Sequence, residues 1–462
     1  MLLTTLVSSA WLLLLGGARV ANAIELDIDS EESIKKAASM IAYDMMLEYK
    51  GNLSGQTPGL LPGPPPTPLV LNAGYFWWEA GAMFGSLLDY WYYTGDSSYN
   101  AVIKQALIHQ AGDNNDYLPQ NQSIGMGNDD QGFWGMSAMT AAEFNFENPP
   151  PDEPQWLALA QAVFHTQAER LDPATCGGGL HWQAYSYLNG YSYKNSISNG
   201  CFFNIGARLA LYTNNATYAK YATETWEWMS SVGFLDKDYN IFDGGDQKDN
   251  CTEINRVPFS YNAGVFLLGA ATMYNYTDGS AIWKERTEKL LARTIEVFFP
   301  KGIAFELACE TDLSCSIDMY SQKAFLTRWM AASTKVAPFI YEDVMKPLRT
   351  SAAAAALQCS GGDTGRACGL SWSKKAAWDG TKGVGQQMAA LEVIQSLLIK
   401  KARNIVSNST GGTSVGDPDA GNDEVDYAEI PPATTGGKVG AGILTVVIVG
   451  LVVGMFGFMA ID

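Results

Sequence analysis

The fold is decided by residues 73–110, which read AGYFWWEAGAMFGSLLDYWYYTGDSSYNAVIKQALIHQ. Apolar residues recur with a helical period over 73–93 and again over 97–110. Only Thr94-Gly95-Asp96 separates the two runs, and so short a link places consecutive helices side by side and antiparallel. A long connection, 111–129, follows before the next helical run. The segment therefore predicts a helix followed closely by an antiparallel partner and then a long loop.

The same alternation recurs along the chain. Periodicity predicts helices over 30–49, 73–93, 97–110, 130–145, 153–170, 196–212, 216–230, 260–275, 280–297, 318–332, 337–356 and 382–400. Connections are short after the even-numbered helices and long after the odd-numbered ones, so the long loops emerge on one face. Six such pairs predict an all-α (α/α)6 toroid, a six-hairpin barrel with alternate helices inside. An open helical solenoid stays possible, because pair spacing alone does not show closure.

We interpret the chain as one catalytic domain between two processing signals. No Pro- or Ser-rich linker divides residues 24–402. Residues 403–438 are rich in Gly, Ser, Thr and Asp, which predicts a solvated, disordered stalk carrying a GPI attachment region. Loops that converge on a rigid scaffold commonly carry function, so we expect the active site on the long-loop face.

The two ends predict secretion and membrane attachment. Residues 1–23 join an apolar run to Ala21-Asn22-Ala23, as in a cleaved signal peptide. Residues 439–462 form an apolar tail without a basic anchor, which predicts a GPI signal that is removed. A retained tail anchor is the alternative. With a GPI anchor, the protein would lie on the outer face of the plasma membrane and in the cell wall.

Cysteines and sequons agree with a secreted glycoprotein. Seven cysteines are present, and Cys309–Cys315 and Cys359–Cys368 are close enough to close small loops. One further pair among Cys176, Cys201 and Cys251 stays open. Sequons occur at Asn52, Asn121, Asn215, Asn250, Asn275 and Asn408.

Composition also excludes several kinds of site. The formal charge of −18 argues against nucleic acid, which requires a basic surface. The three histidines are far apart in sequence and no C-x-x-C occurs, so we expect no metal and no cofactor. No serine-hydrolase elbow or nucleotide-binding glycine motif has the required context.

The most informative cluster is Gly127-Asn128-Asp129-Asp130-Gln131-Gly132-Phe133-Trp134, where a long loop meets the fourth helix. A glycosidase needs two carboxylates beside the scissile bond, one to protonate the leaving oxygen and one to attack or to activate water. At a helix start the nearer carboxylate would ionise, and its charge would raise the pKa of the other. Helix capping is the alternative role for such a pair. The adjacent aromatics favour a sugar site.

Other residues near the long-loop face are candidates for substrate binding. Tyr75 and Trp78 open the second helix, where core packing is the alternative. Trp182 follows a glycine run and could stack on sugar or pack internally. Asp243 could hold a hydroxyl or form an Asx turn. Asn128, Asn195 and Asn199 could bind sugar hydroxyls or satisfy backbone groups.

These motifs together resemble the α-1,6-mannanases of glycoside hydrolase family 76. The resemblance rests on Tyr92-Tyr93-Thr94-Gly95-Asp96, on the 127–134 cluster, and on three further segments: Cys176-Gly-Gly-Gly-Leu-His-Trp182, Tyr193-Lys-Asn-Ser-Ile-Ser-Asn199 and Ser260-Tyr-Asn-Ala-Gly264. It covers nearly all of residues 25–400. With both terminal signals, the chain resembles the fungal GPI-anchored branch of the family.

The resemblance implies an (α/α)6 toroid and a retaining endo-α-1,6-mannosidase. It implies Asp129 as the nucleophile and Asp130 as the general acid/base, with Tyr261 and Asn262 lining the cleft. For the fungal branch it further implies a transglycosidase that acts on the mannose core of GPI glycans and links GPI proteins to wall glucan. The expected partners are a mannan or GPI-glycan oligosaccharide, glucan as an acceptor, and the membrane through the anchor. A catalytically silent mannan-binding wall protein is the alternative.

Overall fold

The structure is a computed structural model that describes residues 23–63, 74–374, 378–421, 442–451 and 455. The chain divides into two units, Met1–Asn422 and Asp423–Asp462. The predicted signal peptide lies outside the described residues, apart from Ala23.

Twelve α-helices form the first unit within the described residues. They are α1 (Glu31–Met46), α2 (Trp77–Thr94), α3 (Asn100–His109), α4 (Asn128–Glu143), α5 (Trp156–Glu169), α6 (Ser196–Thr213), α7 (Ala216–Val232), α8 (Ser260–Tyr276), α9 (Ala281–Phe298), α10 (Gln322–Val336), α11 (Tyr341–Gln358) and α12 (Val384–Gln395). Each coincides with one predicted helix. Their boundaries differ from the prediction mainly by a few residues at the ends.

The even-numbered helices are inside and the odd-numbered helices are outside. Every residue of α12 is buried, and α8 is buried along almost its whole length. By contrast, α9 buries one stripe that includes Trp283, Leu290 and Leu291 and exposes charged residues elsewhere. A helix that is apolar all round belongs in a core, whereas an amphipathic helix covers one.

The inner helices form a closed ring. Each contacts the next in the order α2, α4, α6, α8, α10 and α12, and α12 packs against α2. Closure distinguishes the toroid from the open solenoid. The predicted (α/α)6 fold is therefore confirmed.

Local capping sets where several helices begin and end. Ser30 accepts a hydrogen bond from the Ser33 N–H and so caps α1, and Asn195 does the same for α6 through Ser198. At the other ends, Gly95 follows α2 in a left-handed conformation, which stops the helix and begins the short link to α3.

Two small sheets stiffen the long loops. β1 (Tyr193–Asn195), β2 (Gly244–Asp246) and β3 (Ile254–Asn255) form an antiparallel sheet in that order. β4 (Cys359–Gly361) pairs with β5 (Ala367–Cys368). The first sheet joins the loops before α6 and α8, and so fixes two sides of the long-loop face relative to each other.

The segment 403–421 corrects the sequence interpretation, which assigned residues 403–438 to a disordered stalk. The Val406 N–H donates to the carbonyl of Glu143 at 2.8 Å, and the Leu157 N–H donates to Ser414 Oγ at 2.9 Å. The Asp417 N–H donates to Gln161 Oε1 at 2.7 Å. We call residues 403–421 the strap, because they lie along the ends of α4 and α6 and then along α5.

Three disulfides are formed within the described residues. Cys309–Cys315 and Cys359–Cys368 are bridged as predicted, and Cys176 pairs with Cys251, 75 residues away. Cys201 is free and buried. The asparagines of all six sequons are exposed.

The second unit is described only in part. Residues 442–451 and 455 are helical and exposed, and they fall within the predicted apolar tail. Among the described residues, the helices are too short or too polar to cross a membrane.

Candidate active site

The paired aspartates lie at the N-terminal end of α4. Gly127 precedes the helix in an extended conformation, and its N–H donates to Asp130 Oδ2 at 2.7 Å. The Asp130 N–H donates to Asp129 Oδ1 at 3.1 Å. Asn195, which caps α6, donates through Nδ2 to Asp129 Oδ2 at 3.2 Å. Asp129 thus accepts from two donors and Asp130 from one, and the two carboxylates share no donor.

Gly127 also shows how close the two carboxylates are. A Cβ atom on this glycine would lie 2.1 Å from Asp129 Oδ1 and 3.1 Å from Asp130 Oδ2. The distance between these two oxygens therefore cannot exceed the sum of the two Cβ–oxygen distances. That limit lies below the separation of roughly 6.5–9.5 Å between the carboxyl groups of inverting glycosidases and is compatible with the shorter separation in retaining ones.

The electrostatics of the pair favour one shared proton at neutral pH. Burial, together with the charge of Asp130, raises the pKa of Asp129 well above its ordinary value. Burial raises the pKa of Asp130 to about 6, although the Gly127 N–H favours its ionised form. When one carboxylate of such a pair ionises, the other holds its proton more tightly. The pair can thus present an anion and an acid together.

Two amides of the motif hold this helix start in place. Asn128 is fully buried; its Nδ2 donates to the carbonyl of His181 at 2.9 Å, and its Oδ1 accepts from Arg170 Nε at 2.9 Å. Gln131 donates through Nε2 to the carbonyl of Asp116 at 2.7 Å. The prediction that Asn128 binds substrate is therefore corrected, because its polar atoms pair with protein groups.

A cleft of about 460 Å³ opens above the aspartates on the long-loop face. Its walls come from the starts of inner helices and from the loops before them. Lining residues are Phe76, Trp78, Gly125, Asp129, Asp130, Phe133, Trp182, Gln183, Tyr193, Asn195, Asp243, Phe259, Tyr261, Asp318, Met319 and Gln322. Four of these are aspartates, and none of the described lining residues is Lys, Arg or His.

Five of the candidate binding residues reach this cleft besides the aspartate pair: Trp78, Trp182, Asn195, Asp243 and Tyr261. Trp182 is 38% exposed and offers a ring surface on which a sugar can stack. Trp78 packs against Phe133, with ring centroids 4.6 Å apart, so these two rings form a continuous aromatic wall. Trp134, by contrast, is buried away from the cleft.

Asp243 is held by two hydrogen bonds. Its Oδ2 accepts from the Tyr193 hydroxyl at 2.7 Å and from Asn255 Nδ2 at 2.9 Å. Burial nevertheless raises its pKa above the ordinary value. Asp243 is therefore a fixed acceptor in the cleft wall.

Three further candidates do not line the cleft. Asn199 is buried and pairs with both backbone groups of Leu180, at 2.8 and 3.1 Å. Asn262 is also fully buried, and its amide has no hydrogen-bond partner among the described residues. Tyr75 lines a neighbouring cavity, where its hydroxyl accepts from the Val384 N–H at 3.2 Å. The predictions for these three residues are corrected accordingly.

Sequence reasoning missed Asp318 and Gln322. Both line the cleft at the start of α10, and Gln322 Oε1 is buried without a hydrogen-bond partner among the described residues. The signal was available, because the sequence predicts an inner helix from residue 318 and the starts of inner helices face the active site. Tyr193, at the start of the Tyr193–Asn199 motif, also lines the cleft, although the sequence pattern does not predict it as a site residue.

Comparison with known proteins gives the family of this site. Residues 33–409 match the family described as Glycosyl hydrolase family 76. A Saccharomyces cerevisiae relative named mannan endo-1,6-alpha-mannosidase DCW1 is 47% identical over 93% of this chain and 94% of its own length. The chain belongs to glycoside hydrolase family 76. The family resemblance is thus confirmed, and the protein is a glycoside hydrolase.

Solved structures of this family share the toroid. The crystal structure of Dfg5 from Chaetomium thermophilum in complex with glucosamine is 50% identical, with a TM-score of 0.82, and covers 86% of this chain and 97% of its own. An inactive variant of the α-1,6-mannanase GH76A of Salegentibacter sp. HEL1_6, in complex with α-1,6-mannotetrose, has a TM-score of 0.62 at 16% identity. It covers 79% of this chain and 99% of its own, and supports the fold.

Proposed function

We propose that this family 76 enzyme is a retaining endo-α-1,6-mannosidase that also transfers the glycan it cleaves. The observation that carries the proposal is the pair Asp129 and Asp130, close together at one helix start and facing one cleft. The name of the 47% identical yeast relative supports the α-1,6-mannoside as the substrate class.

In the proposed mechanism Asp129 attacks the anomeric carbon while Asp130 protonates the departing glycosidic oxygen. This step forms a covalent glycosyl-enzyme and releases one part of the glycan. Asp130, now ionised, takes the proton from an incoming hydroxyl, which displaces Asp129 and restores the original anomeric configuration. The Gly127 N–H favours the ionised Asp130 that this cycle produces.

The assignment of roles within the pair follows the family resemblance. Burial raises the pKa of both carboxyl groups, so the two aspartates hold one proton between them and either of them can act as the acid. Azide rescue of single variants distinguishes the two assignments.

We propose the mannose core of a GPI glycan as the donor and wall glucan as the acceptor. The cleft supports a donor that contains an amino sugar, since Asp243 and Asp318 add negative charge beside the catalytic pair. Glucosamine bound to the Dfg5 relative supports the same class of ligand. Water and a glucan hydroxyl compete for the same glycosyl-enzyme.

We further propose secretion and GPI anchoring, with residues 1–23 and 439–462 removed. Three disulfides and six exposed sequon asparagines support an oxidising, glycosylating route. The mass of the mature protein, and its release from membranes by phospholipase, test this. A spanning helix retained at 443–461 contradicts it.

The activity is tested with α-1,6-mannan oligosaccharides, with and without a glucan oligosaccharide. Mass spectrometry distinguishes hydrolysis from transfer, and NMR of the first product shows its anomeric configuration. We expect retained configuration and a mixed mannose–glucan product. Binding without any product indicates instead a silent mannan-binding protein.

A further inference from the structure

A second polar cavity lies beside the catalytic cleft. It has a volume of about 480 Å³ and is lined by residues that include Glu48, Tyr75, Tyr320, Thr381, Lys382 and Gln386. Two short segments separate it from the cleft. Tyr75 faces this cavity and Phe76 the cleft, while Tyr320 faces the cavity and Met319 the cleft. We call it the side cavity.

A buried amide faces the side cavity without a protein partner. Gln386 is 1% exposed, and neither its Oε1 nor its Nε2 has a hydrogen-bond partner among the described residues. A buried amide that makes no hydrogen bond destabilises a protein, and most buried polar groups are therefore paired. An unpaired donor and acceptor on the wall of a cavity instead suit a ligand that both donates and accepts.

The start of α12 supplies further polar groups at the same place. Gly383 precedes the helix and provides no side-chain cap. The Val384 N–H donates to the Tyr75 hydroxyl at 3.2 Å, which leaves the hydroxyl hydrogen free to donate. Burial raises the pKa of Tyr75 to about 12, so the hydroxyl keeps that hydrogen. A Cβ on Gly383 would lie 3.0 Å from this hydroxyl and 3.1 Å from Gln386 Oε1.

We propose that the side cavity is a second carbohydrate subsite that binds a neutral hexopyranose unit. Amide and phenol groups pair with sugar hydroxyls, and the rings of Tyr75 and Tyr320 offer apolar surface to a pyranose. A helix start alone would also suit an anion, but Glu48 and Lys382 contribute opposite charges to the lining. The lining therefore favours an uncharged polyol.

Because the side cavity is close to the cleft, the subsite can bind a further unit of a glycan that occupies the cleft. A glycan that occupies the cleft can continue past Phe76 and Met319 into the side cavity. The unit bound there belongs either to the mannan chain or to a glucan chain, which present the same hydroxyl chemistry. The choice of ligand class rests on the proposed function, whereas the site rests on Gln386 and its surroundings.

The experiment measures binding without turnover. Full-length protein carrying Asp129→Asn and Asp130→Asn, in detergent, is titrated calorimetrically with α-1,6-mannotetraose and separately with a β-glucan tetrasaccharide. Gln386→Leu is then added, which removes the amide at nearly constant volume. We expect about 10-fold weaker binding of one oligosaccharide, as for the loss of a buried hydrogen-bonding partner. We also expect a Tm raised by a few degrees, because an unpaired buried amide is lost.

The control is Gln395→Leu in the same helix. Gln395 is buried, but its Nε2 donates to Glu392 Oε2 at 2.8 Å and it does not line the side cavity. This variant should lower Tm and leave both affinities unchanged.

The outcomes separate the possibilities. Weaker binding of the mannan tetrasaccharide assigns the subsite to the donor chain, and weaker binding of the glucan assigns it to the acceptor. Unchanged affinities, no binding of either sugar, or a lowered Tm for Gln386→Leu overturn the proposal. Failure of the proposed function would appear separately, as wild-type protein that cleaves no mannan.

Discussion

Gly127 places two carboxylates where a side chain would otherwise lie. Its backbone conformation, φ −86° and ψ 154°, is one that any residue adopts, so the requirement for glycine comes from space. A Cβ here would lie 2.1 Å from Asp129 Oδ1. The catalytic geometry therefore requires glycine at position 127, because a Cβ atom there would occupy the space of the Asp129 carboxylate.

Gly127→Ala should affect activity far more than stability. The new methyl group displaces the Asp129 carboxylate, whose side chain can move without unfolding α4. We expect kcat/KM to fall at least about 100-fold, as for misplacement of a reacting group by roughly 1 Å, with Tm nearly unchanged. Gly125→Ala also adds a methyl group to the cleft wall but meets no protein atom within 4 Å, so it separates the effect of displacing Asp129 from that of added bulk in the cleft. Normal activity of Gly127→Ala contradicts the geometry.

Single replacements of the two aspartates assign their roles. If Asp129 is the nucleophile, Asp129→Asn forms no intermediate and is inactive on every substrate. Asp130→Asn lacks the acid but should still react with an activated aryl mannoside, which needs little protonation. Azide should then restore turnover of Asp130→Asn with retained configuration. An azide product of retained configuration from Asp129→Asn reverses the roles, whereas an inverted azide product from that variant agrees with Asp129 as the nucleophile. Normal activity of both variants on mannan reduces the pair to a helix cap.

The shared proton predicts a bell-shaped pH profile. kcat/KM should rise with pH as the pair loses its first proton, near the pKa of about 6 to which burial raises Asp130, and fall when the pair loses its second proton at higher pH. The hydrogen bond from Asn195 lowers the pKa of Asp129, so its removal raises that pKa. Asn195→Ser keeps a cap on α6 but cannot reach Asp129. The fall of kcat/KM on the alkaline side should therefore occur at higher pH in Asn195→Ser than in the wild type. An unchanged alkaline side would show that Asn195 does not affect the ionisation of the aspartate pair.

The motifs predict which segments form the site, but they do not predict which residues within a motif line the cleft. Asp129, Asp130 and Asn195 could be found from their place at helix starts. Asn128 and Asn199 occur in the same motifs but pair with buried backbone groups. An amide that binds a sugar and an amide that binds a loop look alike in sequence, because the difference is burial created by the rest of the chain.

At the scale of elements, the strap shows where composition misleads. Its Gly, Ser, Thr and Asp content is typical of a disordered stalk, because it offers little apolar surface. The same residue types also satisfy helix ends. Gln155, the residue before α5, provides no side-chain cap, and Ser414 accepts the Leu157 N–H instead. Tertiary contacts thus order a segment that has no core of its own.

The strap should contribute measurably to stability. Ser414→Ala leaves the Leu157 N–H buried without its acceptor, and we expect a loss of about 1 kcal/mol, the usual effect of removing a helix cap. Thermal or urea unfolding measures this. Ser409→Ala, at an exposed position of the strap, should change little. Equal stability of both variants would show that the strap does not stabilise the fold, as expected of a disordered stalk.

The positions of the long loops could be predicted from the sequence, but their folded structure could not. Strands of two or three residues, such as β3, give too few positions for an alternating pattern. The pairing of Cys176 with Cys251 depends on that sheet, which joins two loops far apart in sequence. By contrast, Cys309–Cys315 and Cys359–Cys368 close within single loops, which is why proximity in sequence predicts them.

At the scale of the whole molecule, closure of the ring of six inner helices buries carboxyl groups that lie on these helices. Inner helices are surrounded by other helices, so any carboxyl group on them loses water. Glu392 on α12 and Asp89 on α2 lie beside Arg328 of α10, and burial raises the pKa of both acids. The alternation of links predicts six pairs, but these contacts exist only because α12 returns to α2. Closure is therefore a property that pair spacing cannot give.

Buried acids predict a protein that is more stable at acid pH. Burial raises the pKa of Glu79 to about 8 and that of Glu306 to about 7. In the unfolded chain both groups ionise near pH 4.5. Between these values the folded state holds more protons than the unfolded state, so the free energy of unfolding falls as pH rises. The decline should begin above pH 4.5 and continue to about pH 8.

Unfolding at pH 5 and pH 8 measures this decline, for which the raised pKa values of these two acids give up to about 6 kcal/mol in total. Glu79→Gln isolates one contribution, because glutamine resembles the protonated acid and can still accept the Phe76 N–H that Glu79 Oε2 accepts at 2.7 Å. The variant should lose less stability than the wild type between the two pH values. Glu153→Gln, at an exposed position, should follow the wild type. Stability that is constant or rises from pH 5 to pH 8 would show that these acids are ionised in the folded protein. The buried starts of α2 and α8 would then contain charges that the surrounding helices stabilise.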